Sequence, residues 1–290
     1  MTITHERTFR IRHYECDPYG HLNNAVYLRY MQETAFDASA AVGYDLETYS
    51  RLGHTWIARD TEVEYIRPFG YGELVTVRTW VADFRRVRSR RMYEFYSEDS
   101  DEPAARAYTD WVYVNSESGA PVRVPPEMAR AFIRNGPSAR LERDPFPEPP
   151  PQPPGTFRMR RRVAWSEIDS QGHVNNAEYL AYIEECGVQV VTAHNWSMTQ
   201  TVSEGFAMVA RRHRIEYRTP ALMDDELEIS TWISDPKRAT CLRHYLITRV
   251  ADGETLARCR TLWVWIDLET GRPIRIPPHF ISAFKANMVE

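Results

Sequence analysis

The sequence predicts an α+β protein of two similar domains, each an antiparallel sheet wrapped around one long central helix. Three observations carry that expectation. Segments of the first half return 152 residues later without a gap, as His21 and His173 show. Each half holds a breaker-poor stretch that is apolar on nearly every face, as a buried helix must be. Each half then continues in short runs that alternate apolar and polar residues, as strands with one face on a core do.

Taken in chain order, "RTFRIRHYE" reads as a strand that leads into a polar motif at Asp17. The stretch from Asn24 to Val42 reads as the central helix. Ile57 to Tyr65 follows, then Val75, Val77, Thr79 and Val81 in alternation, then "RRMYEFY", then Ala105 to Val114. No crossover helix separates these runs, so they have to pair antiparallel. The second half repeats the alternation at Leu227, Ile229, Thr231 and Ile233. Further matches run the length of the repeat: Glu64-Tyr65 and Pro68 with Glu216-Tyr217 and Pro220, Trp80 with Trp232, and Trp111 with Trp263. A period this long suits a whole small domain and not a solenoid unit. Between the copies lies "RDPFPEPPPQPPGTF", whose prolines favour extended polyproline and a semi-rigid spacer. The expected organisation is a first domain over 1–136, a linker over 137–155 and a second domain over 156–290.

Composition narrows the class. With 290 residues, 43% of them hydrophobic, the chain can build packed cores. A net charge of −4 is not the basic footprint of a nucleic-acid binder. No apolar run approaches the roughly 20 residues of a membrane span, and the polar start "MTITHERTFRIRHYE" has no signal-peptide character. Cys16, Cys186, Cys241 and Cys259 stand apart with no CxxC pair, so free thiols and a cytoplasmic protein are expected. The histidines outside the motif show no metal-ligand spacing, and no nucleophile elbow, P-loop or dinucleotide fingerprint occurs. Neither a metal nor a cofactor is expected.

The polar motif carries the chemistry. "DPYGHLNNAVYLRY" begins at Asp17 and "DSQGHVNNAEYLAY" at Asp169. Helix capping and a turn account for one or two of these residues. They do not account for a histidine and two asparagines kept at fixed spacing in both copies. The stretch brings a carboxylate and an imidazole to the positive end of a buried helix, whose first N–H groups can steady a developing anion. A nearby carboxylate or histidine can activate water as a general base. These parts suit hydrolysis at a carbonyl without identifying the carbonyl.

"YECDPYGHLNNAVYLRYMQETA" and "WSEIDSQGHVNNAEYLAYIEEC" resemble the signature of hot-dog-fold thioesterases, both the 4-hydroxybenzoyl-CoA thioesterase-like group and the acyl-ACP thioesterases. The resemblance covers nearly the whole chain outside the proline run. It implies a double hot dog and an acyl-CoA or acyl-carrier-protein substrate. An assembly of identical chains is also expected. Asp17 and Asp169 match the family's catalytic aspartate, and His21 and His173 its histidine. Glu64 and Glu216 match a glutamate on the strand after the helix. Asn24 and Asn176 stand where a backbone N–H polarises the thioester carbonyl. Tyr19 and Gln171 replace the asparagine that acyl-ACP enzymes carry two residues before the histidine. Either water activated by aspartate or direct attack by aspartate fits these residues. Glu33 and Glu185, inside the helix, read as structural. The cluster "RRVRSRR" reads first as a solvated strand edge. Its sharper reading places Arg86, Arg88 and Arg90 on the phosphates of coenzyme A or on an acidic carrier protein. Two other functions remain open: an acyl-binding module without catalysis, and a dehydratase or hydratase of hydroxyacyl thioesters.

Overall fold

The computed structural model describes residues 3–133 and 141–289. The chain divides into two compact units, Met1–Pro145 and Phe146–Glu290. The residues expected to link two domains are thus shared, up to Pro145 with the first unit and from Phe146 with the second. The expected boundary at 136 and 137 lies outside the described residues.

In the first unit, β1 (Thr4–Arg10) leads through a 3-10 turn (His13–Glu15) to α1 (Asn24–Ala40). Then come α2 (Leu46–Leu52), β2 (His54–Tyr65), β3 (Leu74–Arg85), β4 (Arg88–Ser97), β5 (Ala105–Asn115) and α3 (Pro126–Phe132). The strands form an antiparallel sheet in the order β1-β3-β4-β5-β2. The second unit repeats this with β6 (Phe157–Arg162), a 3-10 turn (Trp165–Glu167), α4 (Asn176–Ala193), α5 (Met198–Ser203), β7 (Phe206–Tyr217), β8 (Glu226–Ser234), β9 (Thr240–Arg249), β10 (Thr255–Asp267) and α6 (Pro278–Ala283). Its order is β6-β8-β9-β10-β7, again antiparallel.

The sheet of each unit covers most of its central helix but not all of it: Arg29 and Glu33 in α1 and Glu185, Val188 and Gln189 in α4 lie on an exposed face, so the stretch is not buried all round as its apolar content suggested. In α1, Ala25, Val26, Tyr27, Leu28, Tyr30 and Met31 are all buried. Tyr30 stacks on Phe9 of β1 with centroids 4.1 Å apart, and Tyr27 meets the edge of Tyr65 at 5.0 Å. In α4, Gly187 lets the helix approach β9 closely: a Cβ there would stand 3.0 Å from the Tyr245 hydroxyl. Burying these helices removes large apolar surfaces from water, at about 25 cal/mol per Å², which supplies much of what holds each unit together.

The short helices α2, α3, α5 and α6 were not anticipated from the apolar period, which needs longer segments to register. Local signals set α2. Asp45 caps it by accepting the Thr48 N–H at 2.8 Å, and Gly53 ends it at φ 66°, where a side chain would be strained. The tryptophans divide between core and surface. Trp232 and Trp265 are buried, Trp80, Trp111 and Trp263 are half-buried, and Trp165 is 81% exposed, because the turn before the motif carries it off the sheet. Residues at the start of the proline run are anchored, each within its own unit. Arg143 reaches Asp83 and Asp110 on the outer face of the first sheet, and Phe146 is buried beneath Arg214 and Arg258 of the second.

Candidate active site at the helix N-termini

The motif folds into a tight loop that ends on the helix cap. In the second unit the Asp169 N–H donates to the His173 carbonyl at 3.0 Å, and the Gly172 N–H to the Asp169 carbonyl at 3.0 Å. Gly172 sits at φ 81°, a left-handed turn that glycine adopts without strain. The Asp169 side chain closes the loop by accepting the Gln171 N–H at 2.9 Å. His173 Nδ1 stands 3.7 Å from Asp169 Oδ1, and both side chains are mostly buried. The first unit repeats the loop, with Gly20 at φ 81°. There Asp17 Oδ1 accepts two amides, Tyr19 N–H at 2.9 Å and His21 N–H at 3.0 Å, and the His21 side chain is exposed.

The two asparagines have separate tasks. Asn23 is the N-cap of α1, its carboxamide oxygen accepting the Ala25 N–H at 2.9 Å; Asn175 does the same for Ala177 at 3.0 Å. Asn24 and Asn176 are the first helical residues, where the helix dipole is most positive. A loop after the second strand closes over the motif. Leu22 N–H donates to the Phe69 carbonyl at 2.8 Å and Val174 N–H to the Ala221 carbonyl at 2.9 Å. The Ala221 N–H in turn donates to the Tyr179 hydroxyl at 2.8 Å. Burial pushes the Tyr179 hydroxyl up to about 12, partly offset by that bond, so the phenol beside the loop stays neutral.

Asp169, His173 and Asn176 thus gather at one helix end, as Asp17, His21 and Asn24 do in the first unit. Within each unit Glu64 and Glu216 do not join them. Tyr65 and Tyr217 pack against Tyr27 and Tyr179 of the helices. Neighbouring strand residues face opposite ways, so Glu64 and Glu216 project from the far face of the sheet. Glu216 Oε2 there accepts from Arg258 Nε at 2.9 Å. Glu33, expected to be structural, pairs with Arg7 at 3.2 Å, and Glu185 accepts from Gln189 at 2.8 Å. Arg86 and Arg88 are exposed. Arg90 is committed elsewhere, clasping both oxygens of Asp110 at 2.8 and 2.6 Å while lying 4.1 Å over the Tyr108 ring. Among the described residues no group of three or more His, Cys, Asp or Glu side chains could hold a metal, and no helix is long and apolar enough to cross a membrane.

Two pairs of site-supporting residues, one in each unit, escaped the sequence reading. Glu15 accepts the Tyr30 hydroxyl at 2.8 Å, and Glu167 accepts the Tyr182 hydroxyl at 2.7 Å. The signal was present as an acid two residues before each motif aspartate, with a tyrosine at matching positions of each helix.

Comparison with known proteins adds the chemistry of relatives. The model of the thioesterase-like superfamily matches residues 11–132 and again 163–284. The chain is 23% identical over 273 residues to the chloroplastic acyl-[acyl-carrier-protein] hydrolase FATB2 of Cuphea viscosissima, covering 90% of this chain and 63% of that relative. It thus spans less than two thirds of that protein's length. It is 30% identical over 129 residues to the acyl-CoA thioester hydrolase YbgC of Escherichia coli, covering 44% of this chain and 96% of that protein. The solved 12:0-ACP thioesterase of Umbellularia californica superposes with a TM-score of 0.72 at 22% identity, over 90% of this chain and 93% of that one.

Proposed function

Because the chain belongs to the thioesterase-like superfamily, with both repeats matched by its model, we propose that it hydrolyses acyl thioesters of coenzyme A or of an acyl carrier protein, releasing a carboxylic acid and a thiol. The observation that carries the reading is the meeting of Asp169, His173 and the first turn of α4 at one point. The acyl carbonyl docks with its oxygen toward the N-terminal amides around Asn176. These amides and the helix dipole stabilise the tetrahedral anion, an effect worth about 3–4 kcal/mol for a single well-placed donor. Asp169, with one oxygen held by the Gln171 amide, uses the other either to take the proton of an attacking water or to attack the carbonyl carbon itself, forming an acyl-aspartyl anhydride that water then cleaves to the acid. His173 beside it passes a proton to the departing thiolate.

The second unit is the better equipped of the two. Its imidazole approaches its aspartate, and Gln171 offers an amide where the first unit has Tyr19. Glu216, held by Arg258 on the far face of its own sheet, is not assigned a role in the bond-breaking step. Arg86 and Arg88 are the exposed cations proposed to meet the phosphates of the thiol carrier; Arg90 is left out because Asp110 already neutralises it.

The test is thiol release from a panel of acyl-CoAs and acyl carrier proteins of graded chain length. Hydrolysis of any member that is lost in a D17N/D169N double variant supports the reading. Full activity in that variant refutes it. Acyl-CoA bound tightly without turnover would select the binding-module alternative.

A further inference from the structure

The helix end that forms the candidate site is tied down by a second carboxylate, which the proposed chemistry does not use. Glu167 stands two residues ahead of Asp169. Its Oε2 accepts from the Tyr182 hydroxyl at 2.7 Å and from the Ala164 N–H at 2.8 Å, while Oε1 accepts from the Arg161 guanidinium. Its main-chain carbonyl accepts the Asn175 N–H at 2.9 Å, and Asn175 is the cap of α4. One residue therefore grips the helix twice: at the cap through its backbone, and at Tyr182, fully buried two turns in, through its side chain. Burial first, and the bond to Glu167 second, push the Tyr182 hydroxyl's pKa up, so it remains a donor.

The first unit keeps this arrangement with different supporting parts. Glu15 accepts from Tyr30 at 2.8 Å and from the Arg12 N–H at 2.8 Å, and its carbonyl accepts the Asn23 N–H at 2.9 Å. Its cation is Arg12, at 3.0 Å, whose counterpart in the second unit is Ala164. The cation of the second unit, Arg161, lies 3.7 Å over the Tyr182 ring, where the first unit stacks Phe9 on Tyr30. The charge partner has thus moved between positions, while the acid, the tyrosine and the grip on the cap have not. Mere compensation of a buried charge does not require that, since well-packed apolar groups often replace a buried ion pair at no cost in stability. Fixing an orientation does.

We propose that Glu167, acting through Tyr182 and the cap of α4, is a positioning residue that sets where the first helical amides stand relative to Asp169, and that Glu15 does the same in the first unit. A shift of about 1 Å in such a constellation costs on the order of a hundredfold in rate. The kinetic part of the proposal rests on the hydrolase reading; the geometric part does not.

The experiment uses the full chain with E167Q and with Y182F, the latter removing one hydroxyl and no charge, each assayed well below its own Tm. The expected result is a kcat lower by at least about tenfold with KM within about twofold, the split that a lost transition-state interaction produces. In isotope-labelled protein the amide resonances of Asn176 and Ala177 are expected to move in both variants. Folded variants with wild-type kcat and unmoved resonances overturn the proposal. Should E167Q fail to fold, Y182F decides by the same two readouts. Should the wild-type chain cleave no thioester, the hydrolase reading falls and the resonances alone decide the positioning role.

Discussion

The two units share one frame and fill it differently. Both keep the motif loop, the glycine at φ 81°, the asparagine cap and the carboxylate–tyrosine tie. They part at particular positions of the core and of the outer face. In the first core Thr61 and Thr109 face each other at 3.1 Å; in the second His213 stands at the first of these positions, 2.8 Å from Thr261. On the outer face the first sheet buries Asp83 and Asp110 under Arg143 and Arg90, whereas the second has an exposed Asp235 and Leu262 at the matching positions. The helix end is held in the same way in both units while these core and outer-face positions differ. That pattern is expected where a helix end has a task beyond folding.

The largest effect should appear at the motif aspartates. If the second unit carries the reaction, D169N should lower kcat/KM by about 10²–10⁴, the usual weight of a group taking part in proton transfer or attack. D17N should cost about tenfold or less, because His21 is exposed whereas His173 stands 3.7 Å from Asp169, and Tyr19 stands where the second unit has the amide of Gln171. Thiol-release kinetics on the two single variants decide it. Equal losses would erase the functional half of the comparison.

Much of this was legible before any coordinates. The repeat, the buried helix and the alternating strands follow from periodicities that burial on one face imposes, and they placed Asp17, His21, Asn24, Asp169, His173 and Asn176 at helix ends. Glu64 and Glu216 show the limit. Which face of a strand an acid takes depends on its neighbours, and Tyr65 and Tyr217 take the helix side. Arg90 shows another: a basic run reads as a solvated edge or, more sharply, as a phosphate patch, and neither reading reveals that a distant acid, Asp110, clasps one member of it. Arg143 was read as spacer because composition reports backbone preference and not the buried carboxylates waiting on a sheet.

Arg143 supplies the next test. Its side chain is 9% exposed and bridges Asp83 to Asp110, both nearly inaccessible. Among the described residues R143A would leave those charges with Arg85 at 3.4 Å and Arg90, and removing one member of a buried cluster costs about 3 kcal/mol. For a unit of this size that is a fall in Tm of roughly 6–12 °C. The linker's other anchor makes the contrast. Glu148 also meets an arginine, Arg258 at 2.7 Å, but is 82% exposed, so E148A should leave the calorimetric Tm unchanged. Equal shifts in the two variants would show that the proline run acts as one strap and not as two local anchors.

The smallest effect per step separates the units by acid. The second alone buries two histidines in its sheet, with burial the leading cause that holds His213 down to about 3 and His244 to about 4, from an ordinary 6.5. The first unit has Thr61 and Met92 at these positions. In the unfolded chain both imidazoles take up protons as pH falls through about 6.5, while in the folded chain they cannot until pH nears 4. The unfolded state therefore binds more protons across that window. The stability is present in full above pH 6.5 and declines as pH drops toward 4, by up to about 1.4 kcal/mol per pH unit for each histidine. H213T and H244M, which install the first unit's residues, should each flatten the slope of unfolding free energy against pH over that window, whatever they cost at neutral pH. Urea titrations at several pH values measure the slope directly. Slopes parallel to wild type would mean that acid acts on carboxylates in both units, and the buried imidazoles would then cease to distinguish them.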